Sequence, residues 1–179
     1  MLIKMAFTNP ERNIERLNIG EDFKIADIGS GAGHYVFLLA KKLPFGKVYA
    51  VDVQRNLLEK IRTEANRERL TNIETVWSDA EEKHGIKLND ESMDIVVVSN
   101  ILFQIFHKES FIREIKRILK MRGKVLLVDW SDSFGGLGPK SADVVKDSKA
   151  KELFKEENFK EVLSFDAGDH HYGIIFEKQ

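Results

Sequence analysis

Two hydrophobic rhythms alternate along the chain. Apolar runs without alternation, as strands buried on both faces show them, occupy 25–28, 47–53, 93–99 and 124–130. A fifth strand is expected at 73–79. Between these runs, apolar residues recur every three or four positions, the pattern of a helix with one buried face. The spacing predicts helices at 34–43, at 54–69 with Leu57, Leu58, Ile61 and Ala65 inward, and at 108–121 with Phe111, Ile112, Ile115, Ile118 and Leu119 inward. Asn9-Pro10-Glu11 has the form of a helix start, with Asn as N-cap and Pro at the first position, and Gly20 closes that piece. Gly123 is expected to stop the 108–121 helix. Asp147 is expected to cap a last helix carrying Ala150, Leu153 and Phe154, which ends at Asn158. Residues 159–165 and 172–176 then alternate, joined by a polar link at 166–171, as an antiparallel hairpin does.

Strand and helix in repeated succession, closed by a hairpin, predict an α/β fold: a three-layer, doubly wound, seven-stranded sheet whose last strand is antiparallel. One domain over 1–179 is expected, with a helical lead-in at 1–22. The segment 131–147 breaks every pattern. Ser133–Lys140 holds three glycines and a proline in eight residues, a loop of the kind that often covers a binding edge.

Composition narrows the function more than the fold. With 42% hydrophobic and 32% charged residues among 179, the chain has ordinary globular content. A formal net charge of -1 speaks against a broad nucleic-acid surface, which needs a basic excess. No apolar run approaches the roughly 20 residues of a membrane span, and the N-terminus lacks the form of a signal peptide, so a cytoplasmic protein is expected. There is no cysteine, which removes disulfides, thiolate metal sites and a thiol nucleophile together. The five histidines, His34, His84, His107, His170 and His171, show no metal-ligand spacing, so no metal is expected.

The chemistry concentrates in Asp27-Ile-Gly29-Ser30-Gly31-Ala-Gly33, a glycine turn between the first strand and the next helix. Glycines let the backbone turn sharply and let a ligand approach where a Cβ would stand, and the helix start offers free N–H groups to an anion. The third glycine comes one residue too early for a dinucleotide fingerprint, and His34 stands where that pattern has glycine. Asp52 lies near the carboxyl end of the second strand, where open parallel sheets bind ligands, and its two oxygens suit a ribose diol.

Asp-x-Gly-x-Gly-x-Gly resembles the first motif of class I S-adenosylmethionine (SAM) methyltransferases. Together with Asp52, Asp79-Ala80 after the third strand and Asp94 at the start of the fourth, it makes the chain similar to the small-molecule group that includes type 11 and quinone C-methyltransferases. The resemblance covers residues 9–178. It implies a Rossmann-like sheet of order 3-2-1-4-5-7-6 and methyl transfer from SAM, with S-adenosylhomocysteine as product, to an O, N or activated C of a small-molecule acceptor. It also implies roles. Gly29, Ser30, Gly31 and Gly33 carry the methionine and ribose, with Asp27 near the methionine ammonium. Asp52 clamps the ribose, and Val53 lies on the adenine face. Asp79 takes the 6-amino group, with the Ala80 N–H on a ring nitrogen. Backbone carbonyls at Ser99 and Asn100 hold the ammonium.

There are departures from the pattern. No Asn/Asp-Pro-Pro-aromatic motif follows the fourth strand, where the sequence is Ser99-Asn100-Ile101-Leu102. No helical cap domain is apparent, so the acceptor side is expected to be completed by residues 1–20, by the Gly135 loop within 131–147, or by a second subunit in a homodimer. Any proton acceptor would come from His107, Asp132, His170 or His171, with none singled out. Two rivals remain: an NAD-dependent oxidoreductase, which Asp52 would equally suit, and a catalytically silent SAM-binding or sensor protein. An RNA methyltransferase fits the charge poorly.

Overall fold

A computed structural model describes residues 8–179; the first seven residues of the expected lead-in lie outside the described residues. The elements are α1 (Pro10–Ile14), β1 (Lys24–Ile28), α2 (His34–Lys42), β2 (Lys47–Asp52), α3 (Arg55–Glu68), β3 (Ile73–Trp77) and β4 (Met93–Ser99). A 3-10 turn at Leu102–Gln104 precedes α4 (Lys108–Ile118), β5 (Leu119–Trp130), α5 (Asp147–Glu156), β6 (Phe159–Gly168) and β7 (His171–Lys178). They form one seven-stranded sheet in the order β3-β2-β1-β4-β5-β7-β6. The first five strands run parallel, and β7 pairs antiparallel with both β5 and β6. This is the expected topology.

Alternation along the central strands builds two cores, one on each face. Ile25, Val48, Ala50, Ile95, Val97, Leu126 and Val128 meet α1, α2 and α3. Ala26, Ile28, Val96, Val98, Val125 and Leu127 meet α4 and α5, with Phe111, Phe154 and Phe176 filling that layer. Both faces of β1 and β4 are therefore buried, which is why those runs carry no polar alternation. At the amino edge, Asp94 ties three strands: its Oδ2 accepts the Lys24 N–H at 2.8 Å and its Oδ1 accepts from Lys120 Nζ at 2.6 Å.

Several boundaries differ from the sequence expectation. The helix predicted over 108–121 ends at Ile118, because Leu119 pairs with Met93 and starts β5. The left-handed residue there is Arg122 (φ 61°), not Gly123. Gly123 is needed for space instead, since a Cβ would stand 2.8 Å from the Lys120 carbonyl oxygen. Lys146, not Asp147, is the N-cap residue of α5, with no side-chain cap; Asp147 lies in the first turn. The helix ends at Glu156, and Asn158 turns left-handed (φ 57°) before β6. β3 stops at Trp77, which leaves Ser78, Asp79 and Ala80 as loop. The Asn9 cap is as expected, its side chain accepting the Arg12 N–H at 3.1 Å. No helix among the described residues is long and apolar enough to cross a membrane.

Candidate functional site

The glycine turn leans on the end of β2. The Val51 carbonyl accepts the N–H groups of both Gly29 (2.8 Å) and Ser30 (3.1 Å), and Gly33 N–H closes the turn on the Ser30 carbonyl (2.8 Å). Gly29, Gly31 and Gly33 all have positive φ, at 72°, 52° and 81°. Two of the three are also sterically required. A Cβ on Gly29 would stand 2.6 Å from Ile101 Cγ2, and one on Gly33 would stand 2.8 Å from the Phe37 ring. Gly31 differs, because a Cβ there meets nothing nearer than 3.9 Å. It faces open space at the mouth of a cleft.

That cleft, about 420 Å3, lies across the carboxyl ends of β1, β2, β3 and β4. Of the residues named from sequence, Gly29, Gly31, Asp52, Val53, Asp79, Ala80, Ser99 and Asn100 line it. Asp27, Ser30 and Gly33 do not, being buried behind or beneath the turn. The Asp52 carboxylate joins the two sides of the turn: Oδ2 accepts the Gly31 N–H at 2.9 Å and Oδ1 the Gln54 N–H at 2.8 Å. It is thus both a cap for the lead into α3 and a fixed acceptor at the cleft wall. Each oxygen keeps a second lone pair for a hydroxyl donor.

Behind this wall, Asp27 is buried at the end of β1, and its carboxyl is pushed up to about 7, first by loss of water and then by the Asp52 charge. On the same side the Tyr35 hydroxyl lies among Asn13, Ser99 and Thr8. Asn13 Nδ2 donates to it at 3.0 Å, which brings α1 to the end of the cleft formed by β4. On the opposite side, Asp79 Oδ1 accepts the Glu81 N–H at 3.0 Å in a tight turn. Trp77 Nε1 donates to the Val53 carbonyl at 2.9 Å, and the Arg55 guanidinium lies 4.0 Å over the indole.

Further residues line the cleft, among them Glu81, Gln104 and Ile105. Glu81 reaches back so that its Oε2 accepts the N–H groups of Phe106 (2.8 Å) and His107 (3.0 Å), joining the loop after β3 to the start of α4. Gln104 ends the 3-10 turn and Ile105 follows it; the Leu102 N–H at its start is held by Asp129 Oδ2 at 2.8 Å. Asp129 also receives the Trp130 N–H at 2.8 Å; burial pushes its carboxyl up to about 6 against these stabilising bonds. From sequence, Gln104 reads as a residue after the fourth strand that could line an acceptor pocket and Asp129 as part of a strand end facing the crevice, whereas Glu81 is only an unassigned acid after a strand.

None of the four candidate proton acceptors lines the cleft, and His171 is buried at the start of β7. His107 is exposed and stacks edge-on against Phe106, ring centroids 4.8 Å apart. Asp132 and His170 meet each other beyond the end of β5, with Oδ1 and Nδ1 2.7 Å apart. No group of metal-ligating side chains occurs among the described residues.

The arrangement fits a nucleoside carrying a methionine tail. Gly31 leaves an open cradle that a Cβ would narrow, and Asp52 offers a diol acceptor. Asn100, left-handed at φ 58°, has an Oδ1 that is buried without a hydrogen-bond partner among the described residues. Residues 19–178 match the methyltransferase-domain family. The ubiquinone/menaquinone biosynthesis C-methyltransferase UbiE of Cupriavidus metallidurans is 30% identical over 123 residues, 66% of this chain and 47% of that protein. The chain thus spans about half the length of the curated relatives it matches. A SAM-dependent methyltransferase from Aquifex aeolicus superposes with a TM-score of 0.87 at 24% identity, covering 97% of this chain and 91% of that one. The [4+2]-cyclase SpnF superposes at 0.82 with 14% identity, covering 94% and 79%, a likeness of fold alone. The chain belongs to the methyltransferase-domain family and has the class I SAM-dependent methyltransferase fold, and the cofactor that this family and fold imply is SAM.

Proposed function

We propose that this protein moves the methyl group of SAM to an O, N or activated C of a small-molecule acceptor, and that the 420 Å3 cleft is where SAM binds. The observation that carries this is the Asp52 carboxylate, fixed by Gly31 and Gln54 N–H groups at the lip of a glycine cradle. A ribose diol donating to it meets an acceptor already oriented, so little ordering cost falls on binding. Gly29, Ser30, Gly31 and Gly33 would carry the methionine and ribose, and Asp27 would supply a negative charge for the ammonium. Ser99 and Asn100 would close that end. Val53 would cover one adenine face, with Asp79 and Ala80 at its edge. The sulfonium makes the methyl carbon electrophilic without help, so the protein's work is to align a nucleophile and exclude water.

The UbiE relative acts, by its name, in quinone biosynthesis; that favours aromatic acceptors here over amines. Titration calorimetry is the direct test. Wild type should bind SAM and S-adenosylhomocysteine at micromolar concentration and NADH not at all. Asp52→Ala should weaken SAM by about 10- to 100-fold, as the loss of a charged hydrogen-bond acceptor predicts. SAM affinity unchanged in Asp52→Ala would refute the ribose assignment. Binding without any transfer of labelled methyl across an acceptor panel would leave the silent SAM-binding reading standing.

A further inference from the structure

The carboxyl edge of the sheet continues past the cleft. Asn100 N–H donates to the Val128 carbonyl at 2.9 Å, and Ser131 N–H donates to the His170 carbonyl at 2.8 Å, so the tips of β4, β5 and β7 lie side by side. With strands roughly 4.8 Å apart, the β6–β7 turn stands about 10 Å from the cleft wall at β4, the width of one ring with its substituent. His170 occupies that turn. Its Nδ1 lies 2.7 Å from Asp132 Oδ1, and Phe134 stacks on its ring, centroids 4.1 Å apart and planes 23° apart. Both partners come from the segment after β5. There Gly135 and Gly136, at φ 53° and 77°, fold the chain back so that Leu137 N–H reaches the Phe134 carbonyl at 2.8 Å. Gly138 lets the same segment lie on the Trp130 indole, where a Cβ would come within 2.6 Å. The irregular stretch at 133–140 is therefore a frame that holds an imidazole between a carboxylate and a ring.

A carboxylate on Nδ1 fixes the tautomer and leaves Nε2 as the nitrogen that can accept a proton. The charged groups around it are Asp132 from the end of β5, His171 and Asp169 from its own turn, and Lys146 from the start of α5, whose Nζ donates to the Ser131 carbonyl at 2.6 Å. Amines need no such base when they arrive neutral, and an aliphatic alcohol is too weak an acid for imidazole to ionise. A phenol or enol is matched to it.

We propose that the His170–Asp132 pair is the proton acceptor of methyl transfer and that the acceptor carries an acidic, phenol-type hydroxyl. This rests on the cleft at β1–β4 being the SAM site. In the step, the acceptor O–H proton passes to His170 Nε2 and the oxygen lone pair forms the new C–O bond. The S–CH3 bond breaks, its electrons return to sulfur, and the neutral thioether leaves. Water at the partly exposed His170 then takes the proton. His170 is the catalytic residue and Asp132 the positioning residue.

The test compares two probes, 1-naphthol and 4-nitrophenol, with labelled SAM at about pH 8, where 4-nitrophenol is largely ionised in water and 1-naphthol is not. His170→Asn is the informative variant, because His170 is left-handed at φ 62° and Asn tolerates that backbone. It should lower kcat for 1-naphthol by about 100-fold and for 4-nitrophenol by less than about threefold, with the calorimetric SAM affinity unchanged. Asp132→Asn should show the same selectivity at smaller size. Equal losses on both probes, no loss on 1-naphthol, or no transfer to either probe by a wild type that binds SAM would each overturn the proposal. A wild type that fails to bind SAM would instead overturn the function on which it rests.

Discussion

Asp27 and Asp52 sit behind and on the wall of one cleft, and their environments set them apart. Asp52 holds two backbone N–H groups, whereas Asp27 is buried with its carboxyl raised from 3.8 to about 7, by desolvation first and by Asp52 second. An acid raised by folding is easier to bury neutral. Its contribution to stability is therefore complete below the unfolded value and declines as pH climbs from 3.8 to about 7. A cationic ammonium placed nearby reverses the preference and favours the ionised form. SAM binding should thus expel a proton from Asp27 whenever the solution lies below about pH 7, and affinity should fall by up to roughly tenfold for each unit of acidification there. Calorimetry from pH 5.5 to 8, in two buffers of different ionisation enthalpy, measures both the affinity and the proton count. Asp27→Asn should flatten the dependence; a wild-type affinity that ignored pH would show that Asp27 does not face the ammonium.

Single charges are only half of the site, since several cleft residues are placed by elements far along the chain. The stretch 84–90 is stapled by α4. Glu114 accepts the His84 N–H at 2.9 Å and pairs with Arg117 at 2.9 Å. The Arg117 guanidinium donates to the carbonyls of Leu88 (3.0 Å) and Ile86 (2.7 Å) and to Asp90 (2.6 Å). Gly85 lies so close beneath Asp79 that a Cβ would come within 1.9 Å of the Asp79 carbonyl oxygen. Gly85→Ala should therefore push the Asp79–Glu81 turn into the cleft and weaken SAM about tenfold or more by calorimetry, a factor worth about 1.4 kcal/mol. Arg117→Ala breaks a pair whose side chains are only 15% and 7% exposed. It should cost about 3 kcal/mol and lower the melting temperature by about 6–12 °C, read by circular dichroism. None of this was legible beforehand. Read along the sequence, Arg117 looks like one more basic residue favourable at a helix end, because partners nearly thirty residues away leave no local mark. What was legible is what local physics determines: the glycine turn, the buried runs, the Asn9 cap and the closing hairpin. The end of α4 was missed for the same reason as the staple. Leu119 continues the helical period, and only its pairing with Met93 across the sheet makes it strand.

At the scale of the whole molecule, the cleft is a gap in an otherwise continuous double core. The helical layers pack on opposite faces of β1 and β4, and the turns after β1, β2, β3 and β4 all open onto the same edge. Four chain segments meet there, tied by Asp52, Glu81 and Asp129. A ligand that spans them stabilises the native state by mass action. At a free SAM concentration about 100 times Kd this amounts to about 2.7 kcal/mol. For a chain of this size that corresponds to a rise in melting temperature of about 5–11 °C. S-adenosylhomocysteine at the same multiple of its own Kd should give a similar rise, since the shift depends on occupancy and not on the methyl group. NADH should give none: the third glycine lies one residue early for a dinucleotide, and Gly31, not a helix-start glycine, is the open point of the cradle. A melting-temperature rise with NADH and none with SAM would move the ligand from the sulfonium nucleoside to the dinucleotide, while leaving the sheet order untouched.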